Sequence, residues 1–135
     1  MGQQQLLLIM FAAIILGVAI AIGLSMLVSQ SIQSNKDAII NDINIIASDA
    51  YQFRIRPTTM GGGGGAYDVS KGAAAAYSIP PKMSSNTNAT YTTPSVTANA
   101  ISILGTNSNA ANQTVQGDFD QNGKSTNWVY GTDFQ

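Results

Sequence analysis

Histidine, cysteine and glutamate are all missing from this 135-residue chain. Without cysteine there are no disulfides and no thiolate chemistry. Without histidine there is neither an imidazole base nor an ordinary zinc site. The acids are therefore all aspartates, dispersed along the chain, and none is spaced with a nucleophile as a base would be. Charge of either sign is scarce, with six basic against seven acidic residues and a net charge of −1. The basic residues Lys36, Arg54, Arg56, Lys71, Lys82 and Lys124 are scattered rather than gathered on one face, so no nucleic-acid partner is expected. Proline is absent before Pro57, which leaves the first part of the chain free of helix breakers. These absences exclude enzyme classes more firmly than they indicate a role, and no catalytic residue and no cofactor is expected.

What the chain has in abundance is apolar sequence at its beginning. Residues 6–28 carry no charge and follow the glutamines Gln3, Gln4 and Gln5. About 20 apolar residues at 1.5 Å each cross roughly 30 Å of hydrocarbon, so the run is long enough to span a bilayer. A cleaved secretory signal does not fit, because such signals have a basic front, a shorter apolar core and a small-residue cleavage site. Beyond the run the pattern becomes amphipathic: Ile32, Ile39, Ile43, Ile46, Ala50 and Phe53 recur at spacings of seven, four, three, four and three, one face of a helix. Asn35, Asp37, Asp42, Asn44 and Asp49 supply the polar remainder. Residues 1–56 are thus expected to form one helix, apolar all round in its first half. Gly17 and Gly23 are the positions where it could bend or unwind.

Residues 57–76 form a glycine- and alanine-rich connector with five consecutive glycines at 61–65. Two readings stand side by side: a flexible hinge, or close backbone packing against a neighbouring chain where no side chain fits. The run lacks the trailing Gly-Lys-Ser/Thr of a phosphate loop. Residues 77–135, rich in Thr, Ser and Asn, read as a small β head with strands at ATYTT, SVTANAISIL, NQTVQGDFD and TNWVYGTDF. Asn122-Gly123 is a hairpin signal. Such a head can bury Tyr77, Ile79, Val96, Ile101, Ile103, Val115, Phe119, Trp128 and Tyr130 only by leaning on the amphipathic helix or on neighbours. The fold class expected is α+β: a long N-terminal helix with a small antiparallel β head.

Two small motifs compete for attention in the head. Asp118, Asp120 and Asn122 have the D-x-D-x-N-G spacing of a calcium loop, but Val129 stands where the bidentate glutamate belongs, and a plain hairpin explains the same residues. Asn88-Ala-Thr90 and Asn112-Gln-Thr114 match the N-glycosylation acceptor pattern.

The uncharged run, its amphipathic continuation and the appended β head together resemble the type IV pilin superfamily. That resemblance implies a structural subunit of an extracellular helical filament, stored in the membrane before assembly and polymerising with identical subunits. It also implies a prepilin peptidase that leaves Met1 as a free, N-methylated amine, and an assembly ATPase with a platform membrane protein. The implied filament interface comprises Met1, Gln3, Gln4, Gln5, Leu8, Ile15, Ile22, Ile32, Ile39, Ile43, Ile46 and Phe53, of which Ile39, Ile43, Ile46 and Phe53 are expected to carry the β head or the adjacent helix. The family's usual glutamate at the fifth position is here Gln5, whose carbonyl oxygen can still accept from an amine. The helix-breaking proline of many bacterial pilins is also missing. The rival expectation is a monomeric, single-pass anchored β domain with a binding role. A filamentous phage coat would need a basic C-terminal end facing DNA, and NWVYGTDFQ has none.

Overall fold

The computed structural model describes residues 2–134. With no proline to interrupt it, the chain forms a single α-helix, α1, from Gly2 to Ile55, continuous through Gly17 and Gly23. Internal contacts divide the residues into two units, one up to Ser34 and the other from Asn35 onward. In the first unit the helix makes its hydrogen bonds along its own backbone. The second unit is the α+β head, in which residues 35–55 of α1 carry a four-stranded antiparallel sheet. Its strands are β1 (Ala89–Val96), β2 (Ile101–Asn107), β3 (Thr114–Phe119) and β4 (Ser125–Tyr130), in the meander order β1-β2-β3-β4.

The sheet follows from strict alternation. Along β2 and β3 every second residue is buried, so Ile101, Ile103, Gly105, Val115, Gly117 and Phe119 share one face. That face meets the helix stripe predicted from the isoleucine spacing, for Ile39, Ile43 and Ala50 are fully buried, with Ile46 and Ala47 nearly so. Gly105 marks the closest approach, since a Cβ there would lie 2.6 Å from Ile39 Cγ2 and 2.9 Å from Tyr91 Cε1. Gly117 likewise leaves room for the Trp128 ring, which meets Phe119 edge-on at 5.9 Å between centroids. Phe53 closes the end of the stripe against Tyr77 at 5.6 Å.

The strand boundaries differ from the sequence expectation at Pro94. Read as punctuation, Pro94 separates two strands; in the structure β1 runs through it, with a register shift between Thr92 and Ser95. The reason is position: β1 lies at the sheet edge, where a missing N–H breaks no ladder. The true turn is at residues 97–100, closed by Thr97 N–H donating to the Ala100 carbonyl at 2.9 Å. The Asn122-Gly123 turn sits where expected, with Gly123 at φ 73°.

The five glycines are tied to the end of α1 by backbone hydrogen bonds rather than left as a free hinge. They fold back as a cap on the helix, because the last carbonyls of any helix lack intrahelical donors. Gly63 N–H donates to the Phe53 carbonyl at 2.8 Å, Gly65 N–H to Arg54 at 2.7 Å and Gly64 N–H to Arg56 at 2.9 Å. No side chain fits: a Cβ at Gly63 would lie 1.8 Å from the Ala66 carbonyl oxygen, and one at Gly62 2.3 Å from that of Arg56. Gly64 and Gly65 also take positive φ. The cap leads into Tyr67, which is fully buried and whose hydroxyl donates to the Asp120 carbonyl at 2.8 Å. Gly63→Ala is therefore expected to destabilise the head by about 1–3 kcal/mol, at the upper end because the clash is with backbone. Urea unfolding of the full chain in detergent, followed by Trp128 fluorescence, measures it.

Polar anchors fix the sheet on the helix. Asp42 Oδ2 accepts from Tyr91 Oη at 2.6 Å, Asn86 Nδ2 at 2.8 Å and Asn88 Nδ2 at 3.0 Å. Asp49 accepts from the Tyr77 hydroxyl at 2.8 Å. Lys36 donates to the Phe134 carbonyl at 3.1 Å, with its ammonium 3.9 Å from the centre of the Tyr130 ring. Burial opposes the Asp42 charge, but the bonds from Asn88, Tyr91 and Asn86 outweigh it and hold this carboxyl below the ordinary 3.8. A depressed folded pKa gives stability that is full above the unfolded value and lost as pH falls through the folded one. The head should thus weaken below about pH 4, and Asp42→Asn should flatten that acid limb in pH-dependent urea titrations. It should not abolish the limb, because Asp118 is also held low by bonds from Ser102, Gln116 and Asn127.

Candidate assembly surface

The first unit presents side chains in every direction and hides none of those described: all positions from Gly2 to Ser31 are exposed. Leu8, Ile15 and Ile22, the positions implied as a subunit contact, are 66%, 67% and 55% exposed, so nothing within the chain covers them. Gln3, Gln4 and Gln5 are exposed at the start of the same helix, and Met1 lies outside the described residues. The helix is long and apolar enough to cross a membrane. Its few polar groups suit that environment. Ser25 Oγ donates to the Ile22 carbonyl at 2.8 Å and Ser29 Oγ to the Ser25 carbonyl at 3.1 Å, so both hydroxyls are satisfied within the helix.

The helix also displays a feature that the heptad-spaced leucine and isoleucines do not carry. Ala13, Gly17, Ala21, Ser25 and Ser29 stand four residues apart. At 3.6 residues per turn that spacing drifts by only about 40° per step, so the small residues form a slanted stripe along one side. Stripes of this kind let two helix backbones approach closely in an apolar medium. A Cβ placed on Gly17 would meet nothing within 4 Å. The period of four was available in the sequence all along, hidden among larger residues at other spacings.

The remaining expected interface positions are placed differently. Ile39, Ile43 and Ile46 are consumed inside the head of their own chain, facing the sheet, while Ile32 and Phe53 are half-buried. The first three therefore build the head rather than offer a surface to a neighbour. Outward from them, Ile45 and Ile55 are 51% and 58% exposed. Of the head residues expected in the core, Tyr77, Ile101, Ile103, Val115 and Phe119 are buried, whereas Ile79, Val96, Trp128 and Tyr130 are half-buried. Tyr67, Tyr91, Ala89 and Phe134 join the core without having been singled out.

The calcium spacing is used for other ends. Asp120 Oδ1 accepts from the backbone N–H of Asn122 at 2.8 Å and of Lys124 at 2.9 Å, which builds the turn and lowers the Asp120 pKa. Asp118 sits in β3 and accepts from Gln116 Nε2 at 3.0 Å. The two carboxylates serve separate structures, and among the described residues no group of three or more acids gathers to hold a metal. A groove of about 370 Å³ beside the helix end is lined by Asp49, Phe53, Arg56, Tyr77, Ser78 and Pro80 among others. Asp49 is already engaged there by the Tyr77 hydroxyl. No protein-family model, curated protein or solved structure matches this chain.

Proposed function

We propose that the chain is a structural subunit of an extracellular helical filament of the type IV pilus kind, held in the membrane by its apolar helix before assembly. One observation carries the reading: an apolar helix of membrane-spanning length, exposed on all sides, continues without a break into the segment that a folded head is built upon. A plain anchor requires the first of these features and has no use for the small-residue stripe. In a filament, the apolar half leaves lipid for contact with identical helices. Exchanging one apolar environment for another gains little hydrophobic free energy, so dispersion at close helix contacts and satisfaction of Gln3, Gln4 and Gln5 must supply the difference. Repetition of one heterologous contact without closure generates an open helix of subunits. The role is mechanical, and export, cleavage and extraction belong to other proteins: a prepilin peptidase, an assembly ATPase and a platform protein.

The test is fractionation of the cells that make it. Surface material is sheared off and pelleted at high speed, and the N-terminal mass of this chain in the pellet is measured. Recovery in the pellet with a processed amine at Met1, methylated or not, supports the filament. Recovery solely in the membrane fraction overturns it in favour of an anchored β domain.

A further inference from the structure

The two N-glycosylation motifs look equivalent in sequence and are not equivalent in the fold. Asn88 precedes β1 and is half-buried. Its Nδ2 donates to Asp42 Oδ2 at 3.0 Å, its backbone N–H to Asn86 Oδ1 at 2.9 Å, and its carbonyl accepts from Ser108 N–H at 3.4 Å. A sugar on that nitrogen would have to fit within bonding distance of the carboxylate that also holds Tyr91 and Asn86, at the joint between helix and sheet, and would crowd that cluster. Asn112 lies in the loop between β2 and β3 and is exposed. Among the described residues no side-chain hydrogen bond engages its amide. The motif's hydroxyl residue, Thr114, is the first residue of β3, and its middle residue, Gln113, accepts at its carbonyl from Asn107 N–H at 2.9 Å, so the loop is held through Gln113 while the Asn112 amide stays outside that bonding.

We infer that Asn112 is an acceptor for an N-linked glycan on the folded chain, and that Asn88 is not. The inference rests on the proposed surface location only for its biological setting. The donor is a polyprenyl-pyrophosphate-linked oligosaccharide, used by a membrane oligosaccharyltransferase. Asn112 Nδ2 forms a bond to the anomeric carbon, the bond from that carbon to the pyrophosphate oxygen breaks, and the lipid pyrophosphate leaves with the electron pair. The proton lost from Nδ2 passes to solvent.

The full chain, folded and dispersed in detergent, is incubated with an oligosaccharyltransferase that reads Asn-x-Thr and a lipid-pyrophosphate-linked oligosaccharide. Attachment is mapped by fragment-ion mass spectrometry, and the urea-unfolded chain, diluted into the same reaction, serves as comparison. Occupancy at Asn112 should exceed that at Asn88 by roughly tenfold or more in the folded chain, the factor carried by one hydrogen bond to a charged group. The two sites should approach equality in the unfolded chain. N112Q should remove the sugar from the folded chain, and N88Q should leave it. Equal occupancy in the folded chain, a preference for Asn88, or a folded chain inert at both sites while the unfolded chain accepts at both would each overturn the inference. Because the chain is dispersed throughout, failure to form filaments leaves this result untouched, and the converse also holds.

Discussion

Replacing Ile43 by aspartate is expected to unfold the β head while leaving the chain in the membrane. Ile43 is fully buried, in the same core as Ile101, Ile103, Val115 and Phe119. The substitution forfeits about 1.5–3 kcal/mol of side-chain burial. It also forces a carboxylate into a site with no partner, at several kcal/mol more, or drives it to take up a proton at a comparable cost. A domain of this size typically has about 5–15 kcal/mol in total, and small ones lie at the low end. The sum is therefore enough to abolish the fold. Trp128 emission should shift to that of an exposed indole at all urea concentrations, and limited proteolysis should remove everything beyond the helix. Membrane insertion should persist, since residues 6–28 are untouched. Ile45→Asp is the matched control: that side chain is 51% exposed on the same helix, and the head should stay folded within about 0.5 kcal/mol, as surface substitutions do. A cooperative, near-native melt for Ile43→Asp would show that the helix stripe does not face the sheet.

That contrast also measures how far the sequence could be read. Ile39, Ile43, Ile46 and Ala50 were legible because helical packing imposes a period on side chains, and Ile101, Ile103, Val115 and Phe119 were legible because a sheet imposes another. The glycine cap escaped because its bonds join backbone to backbone: Gly63 to Phe53 and Gly65 to Arg54 leave no trace in side-chain pattern. Composition records only that side chains are excluded there, which a hinge and a cap share. Tyr67 was missed for the same reason, standing alone in a stretch without periodicity. Asp42 and Asp49 read as the polar side of an amphipathic helix, yet they lie at the flanks of the buried stripe and so reach Tyr91 and Tyr77. Flanking acids and solvated acids look alike until a partner element is in place. The candidate surface was legible in its apolarity and length. The choice between Leu8, Ile15 and Ile22 on one side and the small residues on another depends on a second helix, which a single chain's pattern does not contain.

Gly17→Leu separates that choice, because its effects on the lone chain and on an assembly have opposite signs. In the chain by itself the new side chain meets nothing, as a Cβ at Gly17 has no neighbour within 4 Å. Leucine is a better helix former than glycine by about 1 kcal/mol and is favourable at the centre of a membrane span. Expression, insertion and head stability should therefore equal or exceed those of the parent. In the proposed filament, with the small-residue stripe as the place of closest backbone approach, inserting carbon atoms would cost about 1–3 kcal/mol per contact. Since about 1.4 kcal/mol is tenfold in an equilibrium constant, sheared filament yield at equal membrane content should fall by roughly tenfold or more. Ile15→Leu conserves volume outside the stripe and should cost less than about 1.5 kcal/mol, leaving filaments abundant. If Gly17→Leu assembles as well as the parent, the small-residue stripe is not where the helices meet. The heptad positions Leu8, Ile15 and Ile22 then become the surface to substitute, with Ile15→Ala the first variant, since loss of volume rather than its gain would open that contact.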